Sequence, residues 1–425
     1  MSQALAIHGG RPVREGAWPV WPIPAPGALD ALNQVLHSGR WSISGPYRGQ
    51  ASFDQRFAEA FAEYHDVPYC VPAASGTASL MMALEACDVG AGDEVITPAL
   101  SWVASASTIL GVNAVPVFAD IDPHTFCIDP DSVARLISPA TKAIVVVHLY
   151  SGVADMDRLT RIAERASIKL IEDCAQSHGA EYKSRKVGSF GHVGAFSMHH
   201  TKVLTSGEGG ATITGDAELA RRLQCLRADG RRYSTGAPRS GYGELIETAE
   251  PMGSNRALSE FQSALLIQQL AQLDGQNETR RCNAALLDRY MAEIGLQTQQ
   301  SAPGTTLRTY SGYTVTFPEE RLEGVDIAAL GDALSAELGM PVRPIYPPIY
   351  ASHLYKPRSR RRFALAGNYP ARIDAEQFAL PAANDIARRS VAFHHAALLG
   401  SASDMADIAT AFERVIKRVA DLGAN

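Results

Sequence analysis

No cysteine in this sequence stands in a CxxC pair or at the spacing of a Cys/His ligand set. The six that occur (Cys70, Cys87, Cys127, Cys174, Cys225 and Cys282) lie far apart. This pattern gives no zinc motif and no disulfide framework, so no metal site is expected and the thiols are expected to stay reduced. A long basic run is also missing. The largest positive cluster is Arg358 to Arg362, in SRSRRRF, which reads as a solvated loop, and the net charge is −6. Neither feature draws nucleic acid or anionic lipid, so no such partner is expected. No stretch approaches the length and apolarity of a membrane span, and MSQALAIHGGRPVREGAW has no apolar secretory core. The expectation is a soluble cytoplasmic protein.

What is present is an ordinary globular composition, 46% hydrophobic and 20% charged, over 425 residues. That length accommodates one large and one smaller domain. Residues 12–26, PVREGAWPVWPIPAP, follow neither the helix nor the strand period and read as an extended arm on an apolar surface. From about residue 50 the helical FDQRFAEAFAEY precedes β-rich runs (DEVITPAL, AVPVFADI, KAIVVVHLY, IKLIEDCA) that alternate with helical segments. Apolar strands between helices predict an α/β fold with a mostly parallel sheet covered on both faces. The strands GAFSM and GGATITG and a helix over 216–228 follow. A long helical region is predicted over 257–294, with a buried stripe through Leu258, Phe261 and Leu265. Beyond it the strands SGYTVTF and PVRPIY, a helix over 326–338 and a terminal helix over 404–421 predict a smaller α/β domain. We therefore divide the chain into an arm with the first helix (1–50), a large domain (51–255), a linking helical region (256–296) and a C-terminal domain (297–425).

Four features of the large domain carry chemistry. ASGTASLMMALEA is a small-residue turn opening into a helix, and helix N-termini hold phosphates well. Gly76 there permits close backbone approach and Thr77 adds a hydroxyl, although an ordinary N-cap would read the same way. Trp102 lies just past an apolar strand, where ligands gather in α/β folds; it suits stacking on a ring or packing in a core. Asp173 ends the strand of IKLIEDCAQSHG and needs a partner if buried, such as a protonated pyridine nitrogen. Gln176 and His178 follow within reach of a ring oxygen. Lys202, in FSMHHTKVLTSGEG five residues after Ser197, is either a solvated charge or a buried amine able to attack a carbonyl. Together the four meet the needs of pyridoxal 5′-phosphate (PLP), whose electron-sink chemistry the protein only orients and tunes.

The motifs SGTASLMMALEA, GDEVITPALSWVASA, VFADIDPHTFCIDP, IEDCAQSHGA, GAFSMHHTKVLTSGEGGA and GSNRALSEFQSALL carry a resemblance over essentially the whole length. The chain resembles the DegT/DnrJ/EryC1/StrS aminotransferases, with PLP fold type I (aspartate aminotransferase-like). RWSISGPYRG, VPYCVPAASGT, LRADGR and FHHAALL are similar to their aminocyclitol branch, which acts on scyllo-inosose and 2-deoxy-scyllo-inosose with glutamine as donor. The resemblance implies Lys202 as the Schiff-base lysine and proton carrier, Asp173 on the pyridine nitrogen and Gln176 on the ring hydroxyl. It further implies Trp102 stacked on the ring, and Gly76, Thr77 and Ser197 on the phosphate. Asn255 would complete the phosphate site of the neighbouring subunit in a homodimer with a shared active site. Where many sugar-processing relatives have SNGT, this chain has ASGT, with Ser75 in place of the asparagine.

The implied function is a ping-pong transfer of an amino group from L-glutamine, or another amino acid, to a cyclic polyhydroxy ketone in antibiotic biosynthesis. Rival readings are a nucleotide-sugar aminotransferase, an aminodehydroshikimate dehydratase of the 3-amino-5-hydroxybenzoate synthase type, and a PLP-binding regulatory protein without turnover. Retention of Lys202 speaks against the last. Tyr346 and Tyr350 are candidate pocket walls. His199, His200 and one of His394 and His395 are candidate substrate contacts, and Arg227 and Arg231 are candidate partners for the donor carboxylate.

Overall fold

A computed structural model describes residues 4–248, 251–322, 324–363, 367–374 and 378–423. Seven strands make the central sheet: β1 (Tyr69–Ala73), β2 (Glu94–Pro98), β3 (Val115–Ala119), β4 (Thr141–Val147), β5 (Lys169–Asp173), β6 (Val193–Ser197) and β7 (Gly210–Thr214). Their spatial order is β1-β7-β6-β5-β4-β2-β3. Only β7 runs against its neighbours; the remaining pairings are parallel.

Strand residues alternate between two apolar layers, as a period of two requires. Val145, Val147 and Ile171 enter one layer, and Ile144, Val146 and Leu170 enter the other. Both faces are buried, so each strand reads as a continuous apolar run. At the end of β5 the same alternation sends Glu172 and Asp173 to opposite faces. Helix α1 (Phe53–Tyr64) covers one face with Phe57 and Phe61, while α2 (Gly76–Ala86) packs on β6 and β7 from the other. Helix α3 (Ala104–Gly111) lies beside α2 and adds Ala106 and Ile109 to the same layer.

Ser259 and Gln262 form a reciprocal capping box that starts the long helix α4 (Glu260–Glu293). Spanning about 50 Å, α4 buries Ala264, Leu266 and Leu273 in the large unit and Ala284, Leu287 and Met291 in the C-terminal one. The stripe expected through Phe261 and Leu265 is displaced, because the helix is gripped from two sides; both residues are only half-buried.

The C-terminal unit is a four-stranded antiparallel sheet in the order β8 (Gln297–Thr298), β9 (Gly312–Thr316), β11 (Ser390–His394), β10 (Val342–Pro344). Helices α5 (Ile327–Leu338) and α6 (Ala402–Ile416) supply Leu330, Leu334, Ile408 and Phe412 to its core. The expected terminal helix ends earlier than predicted, and a short 3-10 turn over Val419–Leu422 follows it. The arm lies across this unit, with Trp18 Nε1 donating to the Leu338 carbonyl at 2.7 Å. The arginine cluster forms two short 3-10 turns, in which Arg358 pairs with Asp374; the Arg362 side chain lies outside the described residues. No described helix is long and apolar enough to cross a membrane.

Candidate active site

A cavity of about 410 Å³ opens at the carboxyl ends of β2, β5 and β6, beside the N-terminus of α2. Open parallel sheets place their ligands at this edge. Gly76, Thr77, Trp102, Asp173, Gln176, Ser197 and Lys202 all line it.

Ser75 is extended (φ −166°) and caps α2, its Oγ accepting from the Ala78 amide at 3.1 Å. A first helical turn leaves its leading N–H groups outside the helix ladder, so an anion at that end finds donors and a favourable dipole. A Cβ on Gly76 would lie 2.5 Å from Ser197 Cβ and 3.0 Å from its Oγ. Glycine is therefore what lets the helix end close on β6, bringing the Ser197 hydroxyl to the first turn. The result is a cradle of backbone and hydroxyl donors at one end of the cavity, a place that favours an anion.

Asp173 is 5% exposed. Its Oδ1 accepts from the Ala175 amide and its Oδ2 from the Ser105 hydroxyl, both at 3.1 Å, and Ser101 lies 2.9 Å from Ser105. Burial pushes the carboxyl above the usual carboxylate range, against the pull of those donors and of the Lys202 charge. Lys202 sits in the turn after β6, its amide donating to the His199 carbonyl at 2.9 Å. Burial pushes its amine below the ordinary lysine range, and the Asp173 carboxylate pulls it back up. Burial in one pocket thus moves the acid up and the base down, and each charge draws the other back.

Glu172 lies on the opposite face and does a separate job. It accepts from the Gly188, Phe190 and Gly191 amides at 2.6–2.8 Å and lies 3.3 Å from His148 Nε2. Glu172, His148 and Cys174 offer ligand atoms within 4.8 Å of one another, but the carboxylate is already engaged by three amides that fix the loop before β6. Sequence alone does not single out Glu172; its adjacency to Asp173 on an apolar strand is the available signal.

Tyr346, just after β10, brings the C-terminal unit to the cavity. Its ring stacks on Tyr150 (5.3 Å, 22°) and lies 5.7 Å from Trp102, which is 49% exposed. Its backbone N–H donates to the Tyr150 hydroxyl at 3.1 Å, and Gln176 Oε1 accepts from the Tyr150 amide at 2.9 Å. Gln176 thus ties this aromatic wall to the end of β5. His199 also faces the cavity.

Other expected contacts do not line this cavity. His178 is fully buried behind the Phe196 ring (5.4 Å), and burial lowers its pKa to about 3, so it stays neutral outside the cavity wall. Tyr350 is held by Asn384 and the Leu380 amide. Arg227 is 2% exposed and ion-paired with Asp54 at 3.0 Å, while Arg231 turns back to Ala228 and Asp229. Asn255 is exposed, bridged to Ala228, and does not line this cavity. The imidazoles of His394 and His395 both reach the Thr201 carbonyl.

The match to the DegT/DnrJ/EryC1/StrS aminotransferase family covers residues 26–408. The chain belongs to this family. The aminotransferase is 61% identical over 422 residues to the L-glutamine:2-deoxy-scyllo-inosose aminotransferase of Streptomyces fradiae, covering 99% of this chain and 100% of that one. It is 48% identical over 422 residues to the L-glutamine:scyllo-inosose aminotransferase of Streptomyces griseus, again over 99% and 100% of the two chains. Among solved structures it superposes on 3-amino-5-hydroxybenzoic acid synthase with a TM-score of 0.79 at 27% identity, over 95% of this chain and 99% of that one. An aminotransferase from Psychrobacter cryohalolentis gives 0.78 at 28% identity, over 95% and 100%. The fold is that of the PLP aminotransferases, and PLP is the cofactor of this enzyme. The Gly76–Ser197 cradle, the buried Asp173 and the less basic Lys202 suit its phosphate, ring nitrogen and aldehyde.

Proposed function

We propose that this aminotransferase moves the amino group of L-glutamine to 2-deoxy-scyllo-inosose, or to the closely similar scyllo-inosose, in aminocyclitol biosynthesis. The observation that carries the reading is 61% identity along the full length to an enzyme of that name. Within that reading, Lys202 and Asp173 share one cavity and shift each other's protonation.

Bound PLP supplies the reactive carbonyl and the electron sink. Gly76, Thr77 and Ser197 would hold its phosphate, and Trp102 would cover its ring. Asp173, costly to bury as a lone anion, would be stabilised by a protonated ring nitrogen and would keep that nitrogen charged. Lys202 Nζ, made less basic by burial, takes the proton from the donor's Cα and in the second half-reaction delivers one to the acceptor carbon. Ping-pong use of one site requires donor and acceptor to enter in turn.

A second compartment of about 310 Å³ shares Gln176, Thr201, Lys202 and Tyr346 with the first and adds Ser311, Gly312, Arg343 and His394. We assign the hydroxyl-rich ring to it. The exposed position of Asn255 supports a homodimer in which each subunit completes its neighbour's phosphate site. All six cysteines are unpaired, which supports a cytoplasmic setting. The four-part division at residues 50, 255 and 296 stands as our assignment of the domains.

The test is a visible spectrum of the PLP-loaded protein. Adding L-glutamine should abolish the cofactor's band, and adding 2-deoxy-scyllo-inosose should restore it with formation of the aminated ring. Loss without restoration leaves an aminotransferase with a different acceptor. Loss of water from an aminated cyclohexenone acid, giving an aromatic product, would favour the dehydratase reading instead.

A further inference from the structure

The backbone around Lys202 is held from outside the large domain. Trp21 of the arm donates from Nε1 to the His200 carbonyl at 2.9 Å. On the next carbonyl, that of Thr201, two imidazoles converge: His394 Nε2 and His395 Nε2 each lie 3.2 Å from the oxygen. A carbonyl has two lone pairs and can accept both. The His394 tautomer is fixed, because its Nδ1 accepts from the Ala396 amide at 3.3 Å and the proton is left on Nε2. His395 is fully buried, packs edge-on to Trp21 at 4.7 Å, and finds no hydrogen-bond partner for Nδ1 among the described residues. Arg280, itself buried, places its guanidinium over the same Trp21 ring at 5.1 Å. Burial, and after it that positive charge, lowers both imidazoles below the ordinary histidine range, which favours the neutral form with one N–H to donate.

We propose that His394 and His395 are positioning residues for Lys202: the C-terminal unit grips the Thr201 carbonyl through both Nε2–H groups and so fixes the backbone from which the lysine works. The inference rests on the reading of Lys202 as the reacting amine. Proton transfer demands placement to within a fraction of an ångström, and a long flexible side chain delivers that only from a backbone that does not drift. Consecutive carbonyls of one turn are tied to residues 21, 394 and 395, so opening the turn requires breaking contacts with both the arm and the C-terminal unit.

The experiment compares His394→Ala, His395→Ala, His395→Gln and the double alanine variant. Glutamine keeps an N–H donor near the Nε2 position. The first readout is amide hydrogen exchange over residues 199–205 in the cofactor-free protein, expected to rise roughly tenfold in the alanine variants and to return towards wild type in His395→Gln. A second follows the glutamine half-reaction on the loaded enzyme, expected to slow roughly tenfold in His395→Ala with the KM for glutamine little changed. Unchanged exchange over 199–205, or a defect confined to the acceptor KM with a normal glutamine half-reaction, overturns the proposal. If His395→Ala fails to fold, His394→Ala and His395→Gln decide the matter by the same two readouts. Absence of any cofactor band would defeat the reading of Lys202 instead, and the exchange result would still stand on its own.

Discussion

Gly76 and Ser197 approach so closely that the smallest side chain on the first would overlap the second, the added carbon lying 2.5 Å from Ser197 Cβ. The first turn of α2 and the end of β6 therefore share one space, and whatever anion sits there is bounded by both.

Gly76→Ala is expected to force the helix end away from β6, costing about 1–3 kcal/mol of stability. It should also weaken PLP binding by more than it weakens folding. Cofactor titration by fluorescence, set beside urea denaturation of the cofactor-free protein, separates the two. A loss of stability with unchanged PLP affinity would contradict the cradle.

Asp173→Asn is expected to reduce turnover by roughly a hundred- to a thousandfold, since an uncharged side chain cannot stabilise charge on the ring. In the cofactor-free protein the sign reverses. The folded carboxyl is raised above its unfolded value, so folding favours the protonated form, and stability falls as pH rises from the ordinary carboxylate range through the raised one. The asparagine variant should therefore melt at or above the wild-type temperature at pH 7. That advantage should vanish in acid. Thermal melts at several pH values check this.

Lys202→Ala is expected to lower turnover by roughly a hundred- to ten-thousandfold, the range for loss of a positioned proton carrier. PLP should still bind, held by its phosphate and ring contacts, and small exogenous amines should restore part of the rate. Turnover within tenfold of wild type would remove Lys202 from the chemistry.

Arg227 reads in sequence as a candidate for the donor carboxylate, yet it is sealed against Asp54, whose Oδ2 also accepts from the Tyr233 hydroxyl. Arg227→Met leaves a buried anion uncompensated and is expected to cost about 3–5 kcal/mol in urea denaturation. The glutamine KM of the folded fraction should hold near the wild-type value; a large rise would return the arginine to the donor site.

The parallel sheet was legible because strands buried on both faces carry unbroken apolar runs, as in KAIVVVHLY and IKLIEDCA. Asp173 and Lys202 could be singled out because a charge at the end of such a run, or in a glycine-rich turn after one, needs a reason. The residues that surround them were harder. Tyr150 reaches the wall through Gln176 and Tyr346, and nothing local in HLYSG announces it. His394 and His395 were visible as a pair, but their shared acceptor, Thr201, is nearly two hundred residues away, and no periodicity encodes a contact of that range. Glu172 was hidden by its neighbour: two acids side by side read as one signal until the alternation of β5 separates them.

The turn that carries Lys202 is closed by Trp21 from one side and by His395 from the other. On a ribosome these partners emerge at opposite ends of synthesis. The central sheet can pair while the chain is still growing, but the Thr201 carbonyl beside Lys202 waits for its two histidine partners until the last strand is delivered. The timing of assembly is thus written into this turn: a chain that stops before residue 394 holds the arm's contact to it and neither histidine's.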